Sequence, residues 1–282
     1  SPEDLVYDLF SEAVWGDTPM GRTILGTKES LCGINSDVMR AYMETHYTCD
    51  NMIISVSGNL CENFFELLEQ YFGKASLNKG KPQMPEAEYQ SGSIVRRKDI
   101  EQLQLVVGFK GIDIMDNSVY SLLVFNNVFG SGMSSRLFQN IREKYGLVYS
   151  ICAGHSAYIN TGTFDISAGM SAENLPKVAE LISDEIYRVK RDKLTKSEVD
   201  TAKEMLKGSY ILSYESTGAR MQGAGRSLLL DKPIYTQEEA LEKIDAVSVD
   251  STAEIIDRVL DTKTVSTAAV GQTETLDGLF NY

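Results

Sequence analysis

The chain has 282 residues, 43% of them apolar, enough to bury the cores of two ordinary domains. Its 40 Asp and Glu outnumber 27 Lys and Arg, for a formal net charge of -13, which argues against a nucleic-acid partner because nothing offsets phosphate repulsion. No stretch approaches the roughly 18 uninterrupted apolar residues of a membrane-spanning helix, and Cys32, Cys49, Cys61 and Cys152 form no CxxC pair, so the expected setting is the reduced cytoplasm, with no membrane partner.

At the N-terminus, Ser1-Pro2-Glu3-Asp4 reads as a helix start, with a hydroxyl N-cap, a first-turn proline and early acids; a chain beginning with Ser rather than Met is expected to have a processed or cut end. Leu5, Leu9, Phe10, Ala13 and Val14 then recur at helical spacing, predicting a helix over residues 2–15 that Gly16-Asp17-Thr18-Pro19 stops. A helix over 36–46, an apolar strand over 51–57 ending at Gly58 and a helix over 61–72 closed by Gly73 follow. Gly80, Pro82, Pro85 and Gly92 punctuate a stretch with few apolar residues, which reads as a linker. Beyond it the pattern predicts strands at 94–98 and 102–110, helices at 117–128 and 134–144, strands at 147–158 and 163–170, a run of helices over 172–260 and a last strand at 264–270 before Gly271. Strands cluster with strands and helices with helices, which indicates an α+β fold rather than alternating βαβ units. The expected division is 1–75, a linker at 76–92 and a second domain at 93–282.

One pattern recurs. Asp250 to Leu260, a turn, the last strand and Gly271 repeat Asp37 to His46, a turn, the strand at 51–57 and Gly58, with a constant offset of 213. Read as a duplication, this gives two homologous α/β-layer domains, the first truncated at its N-terminus by roughly 120 residues. Chance recurrence of a short helix-strand-glycine piece is the alternative.

The chemistry is first defined by what is missing. There is no H-x-x-E-H or H-E-x-x-H, no GxSxG elbow and no phosphate loop ending in Gly-Lys-Ser or Gly-Lys-Thr. His46 and His155 stand 109 positions apart without ligand spacing and read as structural, so no metal site is expected from this chain alone. The turn Gly130-Ser131-Gly132-Met133-Ser134-Ser135 follows a helix rather than a strand and lacks the phosphate-loop lysine; it reads as a helix corner capped by Ser134 or Ser135. The helix it starts sends Leu137, Phe138 and Ile141 to the core. In the strand that follows, alternation puts Leu147 and Tyr149 on one side and Val148 and Ser150 on the other. Arg142 near the helix end and Tyr149 just past the Gly146 turn are placed to converge, and a guanidinium beside a phenol offers donors to a peptide carbonyl or to the oxyanion of amide hydrolysis. An exposed arginine favoured by the helix dipole and a half-buried strand tyrosine satisfy the same spacing.

The stretch FGSGMSSRLFQNIREKYGLVYS at 129–150, with Arg142 and Tyr149 seven positions apart, resembles the second-domain signature of the pitrilysin and insulinase family of zinc peptidases, in the bacterial branch akin to the mitochondrial processing peptidase. SPEDLVYD at the start, GRTILGTKESL near Gly21 and HYTCDNMIISVSGN at 46–59 extend the resemblance along the chain. It implies homologous α+β domains closing over a chamber in which an extended, unstructured peptide is cut. Arg142 and Tyr149 are then substrate-binding residues, and Tyr149 is also catalytic as a donor to the tetrahedral intermediate. The family's zinc motif, general base and later glutamate ligand lie upstream of an SPEDLVYD-like segment and have no counterpart here. The resemblance therefore implies zinc for the intact parent and none for this chain, which is expected to be inactive alone. The implied partners are a peptide substrate and the missing N-terminal half, and a homodimer is compatible with them. A non-catalytic peptide-binding or structural subunit of the same family is the alternative.

Overall fold

The computed structural model describes residues 1–73, 78–81, 83 and 85–280; part of the expected linker at 76–92 lies outside these. In chain order the helices are α1 (Pro2–Trp15), α2 (Lys28–Cys32), α3 (Ser36–His46) and α4 (Phe64–Phe72), then α5 (Val119–Phe129), α6 (Leu175–Asp192), α7 (Lys196–Tyr214), α8 (Thr217–Leu229), α9 (Gln237–Asp245) and α10 (Val249–Val259). The strands are β1 (Ser93–Arg97), β2 (Gln102–Lys110), β3 (Val148–Ala157), β4 (Gly162–Ser171) and β5 (Ser266–Gly271). Two compact units result, one from Ser1–Thr23, Glu86–Lys207 and Leu241–Tyr282, the other from Ile24–Pro85 and Gly208–Ala240.

The first unit is built on one mixed sheet in the order β1-β5-β2-β4-β3, with β1 parallel to β5 and every other pairing antiparallel, as an α+β fold requires. Alternate residues of its strands serve two cores. Leu103, Leu105, Val107 and Phe109 of β2 and Phe164, Ile166, Ala168 and Met170 of β4 face α5, α6 and α10. Three rings anchor that layer, with Phe125 and Phe129 stacked at 5.1 Å and Phe164 lying 5.4 Å from Phe125. Arg258 on α10 reaches Asp116 and Ser118 just ahead of α5, pinning the two helices together. The opposite face of β2 and β5 is covered by α1, whose Val6, Leu9, Phe10 and Val14 recur at helical spacing and bury against Val106, Ala268 and Val270. Ser1 caps this helix, its Oγ accepting from the Asp4 N–H at 3.2 Å.

The second unit holds α2, α3, α4, α8 and the extended segment between α3 and α4. The strand expected at 51–57 does not form. Met52, Ile53, Ile54 and Val56 are 37–48% exposed, and among the described residues no strand pairs with this segment. An extended backbone becomes a strand only when a partner accepts and donates its ladder bonds, and β-favouring residues alone do not supply one. Instead the Ser55 hydroxyl donates to the Met221 carbonyl of α8 at 2.7 Å, and a Cβ on Gly225 would come within 3.0 Å of Ser55.

The offset of 213 survives in three dimensions. Helices α3 and α10 begin at Ser36 and Val249 and end at His46 and Val259, and each is capped by a polar side chain, Asn35 and Ser248. The glycines closing the two extended runs, Gly58 and Gly271, share positive φ values of 141° and 151°. The later run is β5, buried along its whole length between β1 and β2.

Candidate substrate-binding face

Arg142 sits in a six-residue π-helical segment, Phe138–Glu143, where the sequence pattern predicts an α-helix over 134–144. The residue types do not distinguish the two, because the wider turn arises from how the helix is seated: Leu137 and Ile141 are almost fully buried, and π turns often mark working sites. Of the two candidate caps, Ser135 takes the role, its Oγ accepting from the Phe138 N–H at 3.4 Å while donating to the Gly132 carbonyl at 2.8 Å. The two glycines of the corner serve differently: a Cβ on Gly130 would lie 2.3 Å from the Ala153 side chain, whereas Gly132 is needed for its φ of 96°.

The helix ends at Gly146, φ 65°, whose N–H donates to the Arg142 carbonyl at 2.9 Å. The Arg142 guanidinium lies over the Phe138 ring, 4.8 Å from its centroid. Among the described residues no carboxylate or carbonyl takes its N–H donors, so its fork is open to an outside acceptor.

Tyr149 departs from the alternation expected of the strand. Val148 pairs with Met170 and Ser150 with Gly169, so two steps on β3 match one on β4 and Tyr149 is the extra residue of a β-bulge. Tyr149 and Ser150 are consequently both exposed, rather than facing opposite sides. The bulge re-aims the ring, 51% exposed, so that its hydroxyl lies 3.3 Å from Ser171 Oγ at the end of β4. Arg142 and Tyr149 are thus linked through the Gly146 turn, but they make no hydrogen bond to each other: one rests on Phe138, the other reaches Ser171. Ser171, Gly169, Ser167 and Asp165 share one face of β4, opposite the phenylalanine core, and the Tyr149 hydroxyl joins that polar face. Asp165 was not singled out by the sequence reading; the available signal was one carboxylate interrupting an apolar strand.

Zinc does not fit the residues present. Among the described residues no group of three or more His, Cys, Asp or Glu is placed to hold a metal ion. His46 stacks on Tyr42 at 4.1 Å, and His155 lies in β3, where burial holds its pKa below the ordinary range. Among the described residues, no helix is long and apolar enough to cross a membrane.

The protein named uncharacterized zinc protease YmxG of Bacillus subtilis is 38% identical over 250 residues, 89% of this chain and 61% of its own length. A protein of Rickettsia bellii, likewise named uncharacterized zinc protease, is 30% identical over 274 residues, 96% of this chain and 66% of its own. The chain thus spans between about three fifths and two thirds of these relatives. In fold it is similar to the crystal structure of a peptidase M16 inactive domain from Pseudomonas fluorescens, with a TM-score of 0.86 at 22% identity over 98% of this chain and 66% of that one. Residues 33–206 match the family model described as the peptidase M16 inactive domain, and the chain belongs to the M16 peptidase family.

Proposed function

We propose that this chain is the substrate-gripping portion of a cytoplasmic zinc-dependent endopeptidase that cuts unstructured peptides inside a closed chamber. The observation that carries the reading is a pair of exposed donors: a guanidinium with an open fork on a π-helical turn, and a phenol, set against Ser171, that a bulge takes out of the strand's alternation. The Arg142 fork suits a backbone carbonyl of an extended peptide, and the Tyr149 O–H suits the oxygen that gains charge when the scissile carbonyl becomes tetrahedral. The zinc-protease names of the relatives, and their greater length, support a parent whose metal is held in the N-terminal half, outside this chain. That half is also the partner we propose for the exposed apolar run at 52–56, whose counterpart β5 lies between two strands. Alone, the chain is expected to bind peptide without hydrolysing it.

The test is complementation. The N-terminal half supplied with zinc is expected to restore cleavage of an unstructured peptide, and Tyr149→Phe in that complex to lower turnover roughly 10 to 1000-fold, as loss of one oxyanion donor does. An unchanged rate would refute the role given to Tyr149. A second reading, a peptide-binding or structural subunit, is favoured by the inactive-domain description of the matched model. It predicts peptide binding that Arg142→Ala weakens, with no cleavage by the complemented complex. Sedimentation of the chain separates a homodimer from a monomer.

A further inference from the structure

Asp165 stands in register with Gly108 on β2 and Gly154 on β3, so neither neighbouring strand sets a side chain beside it. The space over Gly108 is taken by α1: a Cβ there would lie 2.2 Å from the Phe10 ring. The space over Gly154 is open, and a Cβ there would find only Asp165 Oδ2, 4.0 Å away. The Asp165 carboxyl, in a residue only 7% exposed, receives one donor among the described residues, the Tyr7 hydroxyl at 3.4 Å from Oδ2. No Lys, Arg or His among them pairs with it. A carboxylate so enclosed, with one long hydrogen bond, is short of compensation. Burial accordingly pushes its pKa up to about 6, against the opposing pull of Tyr7. The next pair along the same face is small and polar, with Cys152 Sγ 3.2 Å from Ser167 Oγ.

We propose that the notch over Gly154 is a subsite for a cationic side chain of the bound peptide, a lysine ammonium or an arginine guanidinium, with Asp165 as its acceptor. This rests on the peptide-gripping reading of the face. Ser171, which meets Tyr149, and Asp165 lie on the same face of β4 six residues apart, about 20 Å of strand, so an extended peptide held at Tyr149 spans the distance in about six residues. A cation fits better than a neutral donor because a charge-assisted hydrogen bond offsets the buried charge as well as the unfilled lone pairs.

The experiment measures binding of a labelled unstructured peptide carrying one lysine, and of its norleucine counterpart, to the full chain at neutral pH. The lysine peptide is expected to bind about tenfold more tightly. Asp165→Asn and Gly154→Val, the second filling the notch while leaving the carboxyl in place, are expected to abolish that preference and leave norleucine-peptide affinity unchanged. Tyr149→Phe and Arg142→Ala are expected to weaken both peptides equally. A wild-type chain without preference, or a preference that survives Asp165→Asn, overturns the subsite and leaves the gripping role standing. If neither peptide binds, the gripping role fails, and n-butylammonium alone decides the notch: it must raise the thermal midpoint of the wild type more than that of Asp165→Asn, and equal effects overturn the subsite.

Discussion

Residues 35–58 and 248–271 are built alike, each with a polar N-cap, an eleven-residue helix and an extended run closed by a glycine of positive φ, yet only the later run is a strand. The difference does not lie in the residues of the runs. Ile53, Ile54 and Val56 favour a pleated backbone more than Thr267, Ala268 and Ala269 do, but it is the second set that is paired on both sides and buried. Both runs carry a helix, α1 on β5 and α8 on Ser55. What one has and the other lacks among the described residues is a neighbour to share ladder bonds, so the strand is a property of the sheet rather than of the segment.

The sharpest way to break this comparison is to bury a charge at equivalent positions. Ala269→Asp, at a site with no exposure, is expected to cost at least about 4 kcal/mol, whereas Val56→Asp, 46% exposed, should cost less than about 1 kcal/mol. Urea unfolding checks the first through the buried fluorescence of Trp15 and the second by circular dichroism; a comparable loss for Val56→Asp would mean that the run at 53–58 is engaged. A smaller effect concerns Asp165 within the paired sheet. Its folded pKa, about 6, lies above the usual 3.8, so folding disfavours the ionised form and the penalty applies above pH 6. That difference corresponds to about 3 kcal/mol, with the pull of the Tyr7 hydrogen bond already included. Asp165→Asn is therefore expected to be more stable than the wild type by about 1 to 3 kcal/mol at pH 8, the gap closing as pH falls from about 6 towards about 4. Parallel denaturation midpoints across that range test the sign, and a gap that widens on acidification contradicts it. The smallest effect sharpens what the two copies share: Ser248→Ala and Asn35→Ala are each expected to cost about 1 kcal/mol, since a cap acts on its own helix whether or not the next run is paired. Amide exchange resolved by segment would show unequal losses if the copies differ at their caps too.

Much of the architecture was legible from periodicity. Helix α1 and strands β2 and β4 follow from apolar content and spacing, α1 through its one buried face and the two strands through runs buried along nearly their whole length. Boundaries moved where local chemistry was silent: the helix expected at 61–72 begins at Phe64, and the short α2, capped by Thr27, was not foreseen. The π turn carrying Arg142 and the bulge at Tyr149 have no signature in residue type, since both arise when a segment of fixed length must meet a neighbour with one residue to spare. The sequence thus brought Arg142 and Tyr149 to notice by their spacing across Gly146, while the direction of each side chain depended on the sheet and on Phe138. Asp165 escaped for a different reason, because the two glycines that isolate it belong to strands far away in the chain.

The Phe10 ring resting in the side-chain-free slot of Gly108 acts as a key in a keyway. Sliding α1 by a single residue, about 1.5 Å along its axis, would withdraw the ring from the slot and drive it against the substituted backbone on either side. Tyr7, one turn earlier on the same helix, is thereby indexed at a fixed reach from Asp165, so a packing contact gauges a polar separation beside it on the same face of the sheet.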